Sequence, residues 1–168
     1  MKRLMIGLVV MALCLGMTGI AMAEDSDSHS VTVTVNPINE IAIHGDYGKD
    51  ITLTISTATA GSPPDDATND TCSLSWTTNA PSSQKKKITA QLDSDYSEGI
   101  TLTVVVTINS GNGSSKGTIT LSSTSHEVVT GICSENVTDN TLLYTASATT
   151  AVSPTTETRS ITYTLTDW

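Results

Sequence analysis

Apolar residues alternate with threonine or serine along most of this chain, which is the pattern of strands that bury one face. The alternation is clearest in the segments SVTVTVN, GITLTVVVTI and SITYTLT. Successive side chains of a strand point to opposite faces, so every second residue shares a face. The residues predicted to share one face of each strand are Val31, Val33, Val35, Ile41, Ile43, Ile51, Leu53, Ile55, Cys72, Leu74, Trp76, Ile88, Ala90, Leu92, Ile100, Leu102, Val104, Val106, Ile108, Ile119, Leu121, Leu142, Tyr144, Ala146, Ala148, Ile161, Tyr163 and Leu165.

The segments between these strands favour turns, because they are rich in glycine, proline, asparagine, aspartate and serine. Examples are TAGSPPDDATND, NAPSSQ, SDYSEG and NSGNGSSKG. The stretch STSHEVVTGI has room for one helical turn, but its β-branched residues and Gly131 favour a short strand or an irregular crossing. Eight or nine short strands at this spacing predict an all-β fold, an immunoglobulin-like antiparallel β-sandwich.

The N-terminal residues have the layout of a secretory signal peptide. Lys2 and Arg3 precede an apolar run that ends in the small-x-small site Ala21-Met22-Ala23. An uncleaved membrane anchor is the alternative, but glycine and threonine interrupt the run. We therefore predict a signal peptide at residues 1–23, a short acidic leader at 24–29 and a single β-sandwich domain at 30–168. The product would be secreted or held at the cell surface, with no membrane span after cleavage.

Net charge restricts the partners of the exported chain. Cleavage would remove two bases and no acid, so the net charge of −9 would become −11. A surface of this sign repels nucleic acid and anionic lipid. The lysines of QKKKIT, Lys85 to Lys87, are a local exception, and we interpret them as a charged turn that discourages edge pairing.

Two cysteines, Cys72 and Cys133, remain after cleavage. An even pair in an exported protein predicts a disulfide. The bridge would close a loop of about 60 residues and stabilise the fold by roughly 4 kcal/mol in the chain-entropy model. Two free thiols and a shared metal are the alternatives.

Catalytic chemistry is not predicted. His29, His44 and His126 are the only histidines, and none is next to a nucleophile motif. We interpret them as surface residues of a protein that is not an enzyme.

The sequence offers two candidate ligands, calcium and carbohydrate. In LDSDYSEG, Asp93 and Asp95 place oxygens at alternating positions, as calcium loops do, but the glycine is one place too late for the EF-hand pattern. No cofactor is predicted beyond this candidate calcium site. Carbohydrate is the other candidate ligand, with Tyr47, Tyr96 and Trp168 as the aromatic residues outside strands.

The strand SVTVTVN follows directly on the polar leader EDSDSH. With its signal, cysteine pair, alternating strands and final SITYTLT strand, the chain resembles secreted immunoglobulin-like fimbrial or extracellular filament subunits. The resemblance implies self-association into a polymer by N-terminal strand addition, with Val31, Val33 and Val35 on the donor strand. One alternative is that this segment is the first strand of its own sandwich, with Pro37 marking a switch between sheets. The other is an extracellular module that binds carbohydrate or calcium.

Overall fold

The computed structural model describes residues 26–46 and 49–168, and the fold within them is all-β. The predicted signal peptide, residues 24–25 of the leader and Tyr47 lie outside the described residues. Among the described residues there is no helix that could serve as a membrane span. The nine strands of this part of the chain are β1 (Asn39–Gly45), β2 (Ala67–Thr78), β3 (Lys86–Leu92), β4 (Ile100–Thr107), β5 (Ser114–Ser115), β6 (Ile119–Thr120), β7 (His126–Ile132), β8 (Glu135–Ala148) and β9 (Ile161–Asp167).

The strands form two antiparallel sheets. The first has five strands in the order β1-β2-β8-β4-β6, and the second has four in the order β5-β7-β3-β9. The residues Asn36–Trp168 form one compact unit, and the residues up to Val35 are a separate unit. The predicted antiparallel β-sandwich of eight or nine strands is therefore confirmed.

The core lies between the two sheets and is mostly aliphatic, as the alternation predicted. One aromatic residue, Trp76, is fully buried, and its indole Nε1 donates a hydrogen bond of 2.7 Å to the Glu135 carboxylate. The buried residues that were predicted to share an inward face are Cys72, Leu74, Trp76, Ile88, Ala90, Leu92, Leu102, Val104, Val106, Leu121, Leu142, Tyr144 and Tyr163. Period-two burial thus positions most of the core.

Two segments differ from the sequence interpretation in extent. STSHEVVTGI contains the regular strand β7, in which Gly131 has a φ of 82° near register shifts in the pairing with β3. The strand β8 begins at Glu135, several polar residues before its apolar alternation. A main-chain ladder with β2 holds these polar residues, and such hydrogen bonds do not depend on apolar side chains.

The predicted Cys72–Cys133 disulfide is not formed, and both cysteines are free. Cys72 lies opposite Leu142 in β8, whereas Cys133 lies two residues before Glu135, which pairs with Thr78. The step from residue 72 to residue 78 along β2 corresponds to about 20 Å at a strand rise of about 3.3 Å per residue. A disulfide requires Cα atoms within about 7 Å. The cysteine count indicated a bridge, but the strand register separates the two residues.

Candidate functional site

Residues 30–36, the predicted donor strand, belong to neither sheet. Val31, Val33 and Val35 are 74%, 80% and 72% exposed, and the threonines between them are exposed as well. Three valines at strand spacing form an apolar stripe, and soluble proteins normally cover or interrupt such a stripe.

Asn79 fixes the point at which this segment joins the sandwich. Its side-chain Oδ1 accepts a hydrogen bond of 2.8 Å from the Ile38 amide, and its Nδ2 donates one of 2.9 Å to the Asn36 carbonyl. The Asn79 amide also donates to the Ile38 carbonyl at 3.3 Å. Pro37, between the two clamped residues, has no amide donor to satisfy. The start of the sandwich is thus tied to the end of β2.

One of the unpaired sheet edges in the described part of the chain is the outer side of β9. The strand β9 pairs with β3 along its whole length, and no strand of the described residues pairs with its other side. Tyr163 on its inward face is buried, while Ile161 and Leu165 are half-buried. The edge strand of the other sheet, β1, contacts β9, so the two sheets end on the same side of the sandwich.

Segment 51–57, predicted as a strand, carries the expected buried face but is not paired. Ile51, Leu53 and Ile55 are half-buried, the residues between them are exposed, and the first two pack against the core. Among the described residues, no backbone hydrogen bond joins 51–56 to another segment; the next residue, Thr57, accepts one from the Asp65 amide at 2.9 Å. We call the outer side of β9 the open edge. Segment 51–57, like β9, has an inward apolar face, but in the described residues its backbone has no ladder partner.

A buried tyrosine pair lies behind the open edge. The hydroxyls of Tyr144 on β8 and Tyr163 on β9 are 2.8 Å apart and connect the two sheets. Burial raises the pKa of Tyr144 to about 12, although the hydrogen bond from Tyr163 opposes this shift. Burial also raises the pKa of Tyr163, and the neighbouring Tyr144 raises it further. Both rings are therefore neutral in the folded protein, and their hydrogen bond holds β9 against the first sheet.

The two ends of β9 differ in charge. Lys85, Lys86 and Lys87 surround the end where β9 finishes, which we call the lysine end. Lys86 forms an ion pair with Asp167, and Lys87 Nζ lies 2.8 Å from a Glu127 carboxylate oxygen. The Lys87 hydrogen bond lowers the pKa of Glu127. Lys85 is the lysine of this cluster with no carboxylate within ion-pair distance in the described residues.

Lys85 packs with an exposed aromatic ring instead. Its Nζ is 5.7 Å from the centre of the Trp168 ring, which is 62% exposed. The Trp168 amide donates a hydrogen bond of 3.1 Å to the Lys85 carbonyl, which extends the pairing of β9 with β3. This corner therefore presents a cation and an indole to solvent.

The opposite end of β9, which we call the acidic end, contains the candidate calcium ligands. Asp93 Oδ1 accepts hydrogen bonds from the amides of Ser94 and Ser160, at 2.8 and 3.2 Å. Asp95 Oδ1 accepts one from the Ser123 amide. Each carboxylate uses an oxygen to hold a turn. No group of three or more acidic, histidine or cysteine side chains in the described residues is arranged to hold a metal ion.

Arg159 and Glu157 complete the acidic end. Their side chains form an ion pair of 2.6 Å, and hydrogen bonding to Ser97, more than Arg159, lowers the pKa of Glu157. The Arg159 guanidinium also lies 5.2 Å from the centre of the Tyr96 ring. Three carboxylates and one guanidinium therefore meet at this end.

Of the carbohydrate candidates, Tyr96 and Trp168 are not brought together. Tyr96 lies at the acidic end, half-buried and next to Arg159, whereas Trp168 lies at the lysine end. An aromatic platform for a sugar ring requires a free ring face, and the Arg159 guanidinium lies over one face of Tyr96.

One polar pair was not anticipated from the sequence. Ser122 Oγ and His126 Nε2 are 2.9 Å apart, across the turn that precedes β7. The same hydroxyl contacts the Thr124 carbonyl and accepts a hydrogen bond from the Thr124 amide at 3.1 Å. The Ser122 hydroxyl thus stabilises the turn. The sequence did not indicate the contact with His126, because residues four apart are expected to be neighbours only in a helix.

The chain has no significant match among protein-family models, curated proteins or solved structures. The candidate site is therefore defined by its own geometry: an exposed valine stripe at residues 30–36 and an open edge in the sandwich.

Proposed function

We propose that this protein is a non-catalytic exported structural protein, a subunit of an extracellular filament, pilus or surface layer. Residues 30–36 of one copy add as a strand to the sandwich of the next. The observation that carries this proposal is self-complementarity. The chain has an exposed apolar segment at residues 30–36 that lies in neither sheet, and a sheet edge at β9 without a partner strand.

The two parts match in pattern. Val31, Val33 and Val35 lie on one face at a spacing of two residues, as do Ile161, Tyr163 and Leu165. A strand added beside β9 would direct its valines toward the core and its threonines to solvent. The outward threonines of β9 are exposed, so such an addition continues the same polar face.

The energetics require the backbone as well as the valines. Fully burying one valine contributes about 1.5 kcal/mol, so the three contribute roughly 4–5 kcal/mol. That corresponds to a Kd of about 1 mM before the entropic cost of association is subtracted. Main-chain hydrogen bonds, each of which contributes a net free energy of about 1 kcal/mol, must provide the rest of the binding free energy. The outer side of β9, whose other side is paired with β3, offers such bonds to an added strand.

Export supports a structural role. The predicted signal peptide directs the chain out of the cytoplasm. The strong negative charge of each small domain favours solubility of the single subunits before they assemble. The leader and the open edge occur on every copy, so no other protein is needed to supply the added strand.

Assembly of the exported protein is the test. We expect fibres by negative-stain electron microscopy and high-mass ladders in SDS without boiling. Deletion of residues 24–36 should abolish both and leave a folded monomer, because every residue of the core, and every residue packed against it, lies at or after Ile41.

A triple substitution separates valine burial from chain length. Val31→Thr, Val33→Thr and Val35→Thr together keep the shape and strand propensity of the segment but remove its apolar face, so assembly should be lost. The matched control, Thr32→Ser with Thr34→Ser, changes the outward face and should assemble normally. Fibres from the deletion variant, or from the valine variant at wild-type yield, would contradict the proposal.

A further inference from the structure

An added strand can run along β9 in two directions, and the two ends of the sandwich distinguish them. The leader leaves its own domain at Asn36–Ile38, where Asn79 clamps it. Asn79 begins the loop that leads to Lys85 and β3, and Trp168 is hydrogen-bonded to Lys85. The leader of each copy therefore extends from the lysine end of its own domain.

Direction decides whether the contact can repeat. A strand antiparallel to β9 enters at the lysine end of the acceptor, and its residue 36 emerges at the acidic end. The lysine end of the donor domain then meets the acidic end of the acceptor, so the contact is head-to-tail and leaves the donor's open edge free for the next copy. A parallel strand would bring two lysine ends together, and two copies that exchange strands in this way form a closed pair.

Charge favours the antiparallel direction. The leader at residues 24–29 contains Glu24, Asp25 and Asp27 and no lysine or arginine. At the lysine end, Lys86 and Lys87 are each paired with a carboxylate, whereas Lys85 forms no ion pair with any described residue. The acidic end has three carboxylates with one guanidinium that is already paired. Opposite charges attract across a Debye length of about 8–10 Å, so a leader is drawn to the first end and repelled from the second.

We infer that the strand of one copy runs antiparallel to β9 of the next, and that its acidic leader binds the corner formed by Lys85 and Trp168. This inference rests on the filament function proposed above. Val33 then lies near Tyr163 and Ser30 near Thr166, while Thr32 and Thr34 lie beside the outward threonines of β9. The corner sets the polarity of the filament, and the occupant of the open edge is a second copy of this chain.

Paired cysteines test the direction. In a Cys133→Ser background, which removes the partly exposed thiol, Ser30→Cys is combined with either Thr166→Cys or Ser160→Cys. Both partner positions are exposed, and they flank the two ends of β9. After oxidation of assembled protein with copper–phenanthroline, we expect a ladder of linked copies on non-reducing gels for the Thr166 variant and none for the Ser160 variant.

The outcomes separate this inference from the proposed function. A ladder from the Ser160 variant overturns the direction but leaves the filament function standing. A closed pair instead of fibres overturns the direction and the filament function together, although strand exchange would remain. Assembly of both variants without any crosslink places the added strand away from β9 and overturns the inference. Failure of the wild-type protein to assemble at all overturns the proposed function, and the inference with it.

Charge reversal tests the corner. Lys85→Glu should slow assembly roughly three- to tenfold at low salt, and the difference should shrink at 1 M salt, where the Debye length is about 3 Å. Lys116→Glu makes the same charge change on an exposed residue next to β5, the opposite edge strand, and should leave the rate unchanged. Asp27→Lys in the leader should partly restore the rate of the Lys85→Glu variant. Equal slowing by both lysine variants, or no restoration, would contradict a role for the corner.

Discussion

Residues 30–36 and 160–166 have nearly the same alternation, SVTVTVN and SITYTLT, and opposite environments. Each begins with serine and places three apolar side chains on one face with threonines on the other. The central residue of the first, Val33, is 80% exposed, whereas the central residue of the second, Tyr163, is 8% exposed. The second is held by β3 and by a hydrogen bond to the other sheet, and the first lies in no sheet.

The difference shows what a local pattern decides. Alternation determines which side chains share a face, and a tertiary partner determines whether that face is buried. Segment 51–57 is an intermediate case, because its inward face packs on the core while its backbone remains without a ladder. The three segments thus have the same periodicity and three degrees of pairing. The least paired one is the candidate for a partner outside its own domain.

The largest effect is expected on the buried side of the comparison. Tyr163→Ala removes an aromatic ring from the core and leaves the Tyr144 hydroxyl without its partner, so it should destabilise the monomer by about 3–5 kcal/mol. The substitution is made in the variant that lacks residues 24–36, so that assembly does not interfere. Urea unfolding then compares the unfolding free energies of this variant with and without Tyr163→Ala. A loss below 1 kcal/mol would show that β9 is not held as the structure describes.

Alkaline pH tests the tyrosine pair that holds β9. The pKa of Tyr144 is raised to about 12 in the folded protein, and that of Tyr163 is also raised, whereas an unfolded tyrosine titrates near pH 10. Above pH 10 the unfolded chain therefore binds fewer protons than the folded one. Stability should be complete below pH 10 and should fall by roughly 1–3 kcal/mol per pH unit up to about pH 12.

The double variant Tyr144→Phe with Tyr163→Phe is the control for this titration. It removes both hydroxyls together, which leaves no unpaired group in the core and should cost less than either single substitution. Its stability should change far less between pH 10 and 12 when unfolding is followed by circular dichroism. An equally steep fall in this variant would assign the alkaline transition to other groups.

Sequence reasoning could predict the fold class and most of the core, because burial in a sandwich follows the period of two. Trp76, Leu74 and Val104 were assigned correctly for that reason. The open edge could not be predicted, since the segments around Leu53 and Tyr163 have the same pattern although they differ in pairing. The disulfide prediction failed on register, which depends on how β2 and β8 align and not on the number of cysteines.

The smallest change in monomer stability is expected for the exposed segment, residues 30–36. This prediction is also the strictest test of whether that segment pairs within its own domain. Val33→Ala should change the unfolding free energy of a dilute monomer by less than about 0.5 kcal/mol, because an exposed side chain contributes little to its own fold. The same substitution should weaken assembly, since it removes apolar area from the added strand. A loss of more than about 1 kcal/mol in the monomer, independent of protein concentration, would mean that the strand fills the open edge of its own sandwich. The two alternating segments would then be neighbours in one molecule, and no second copy would be needed to pair them.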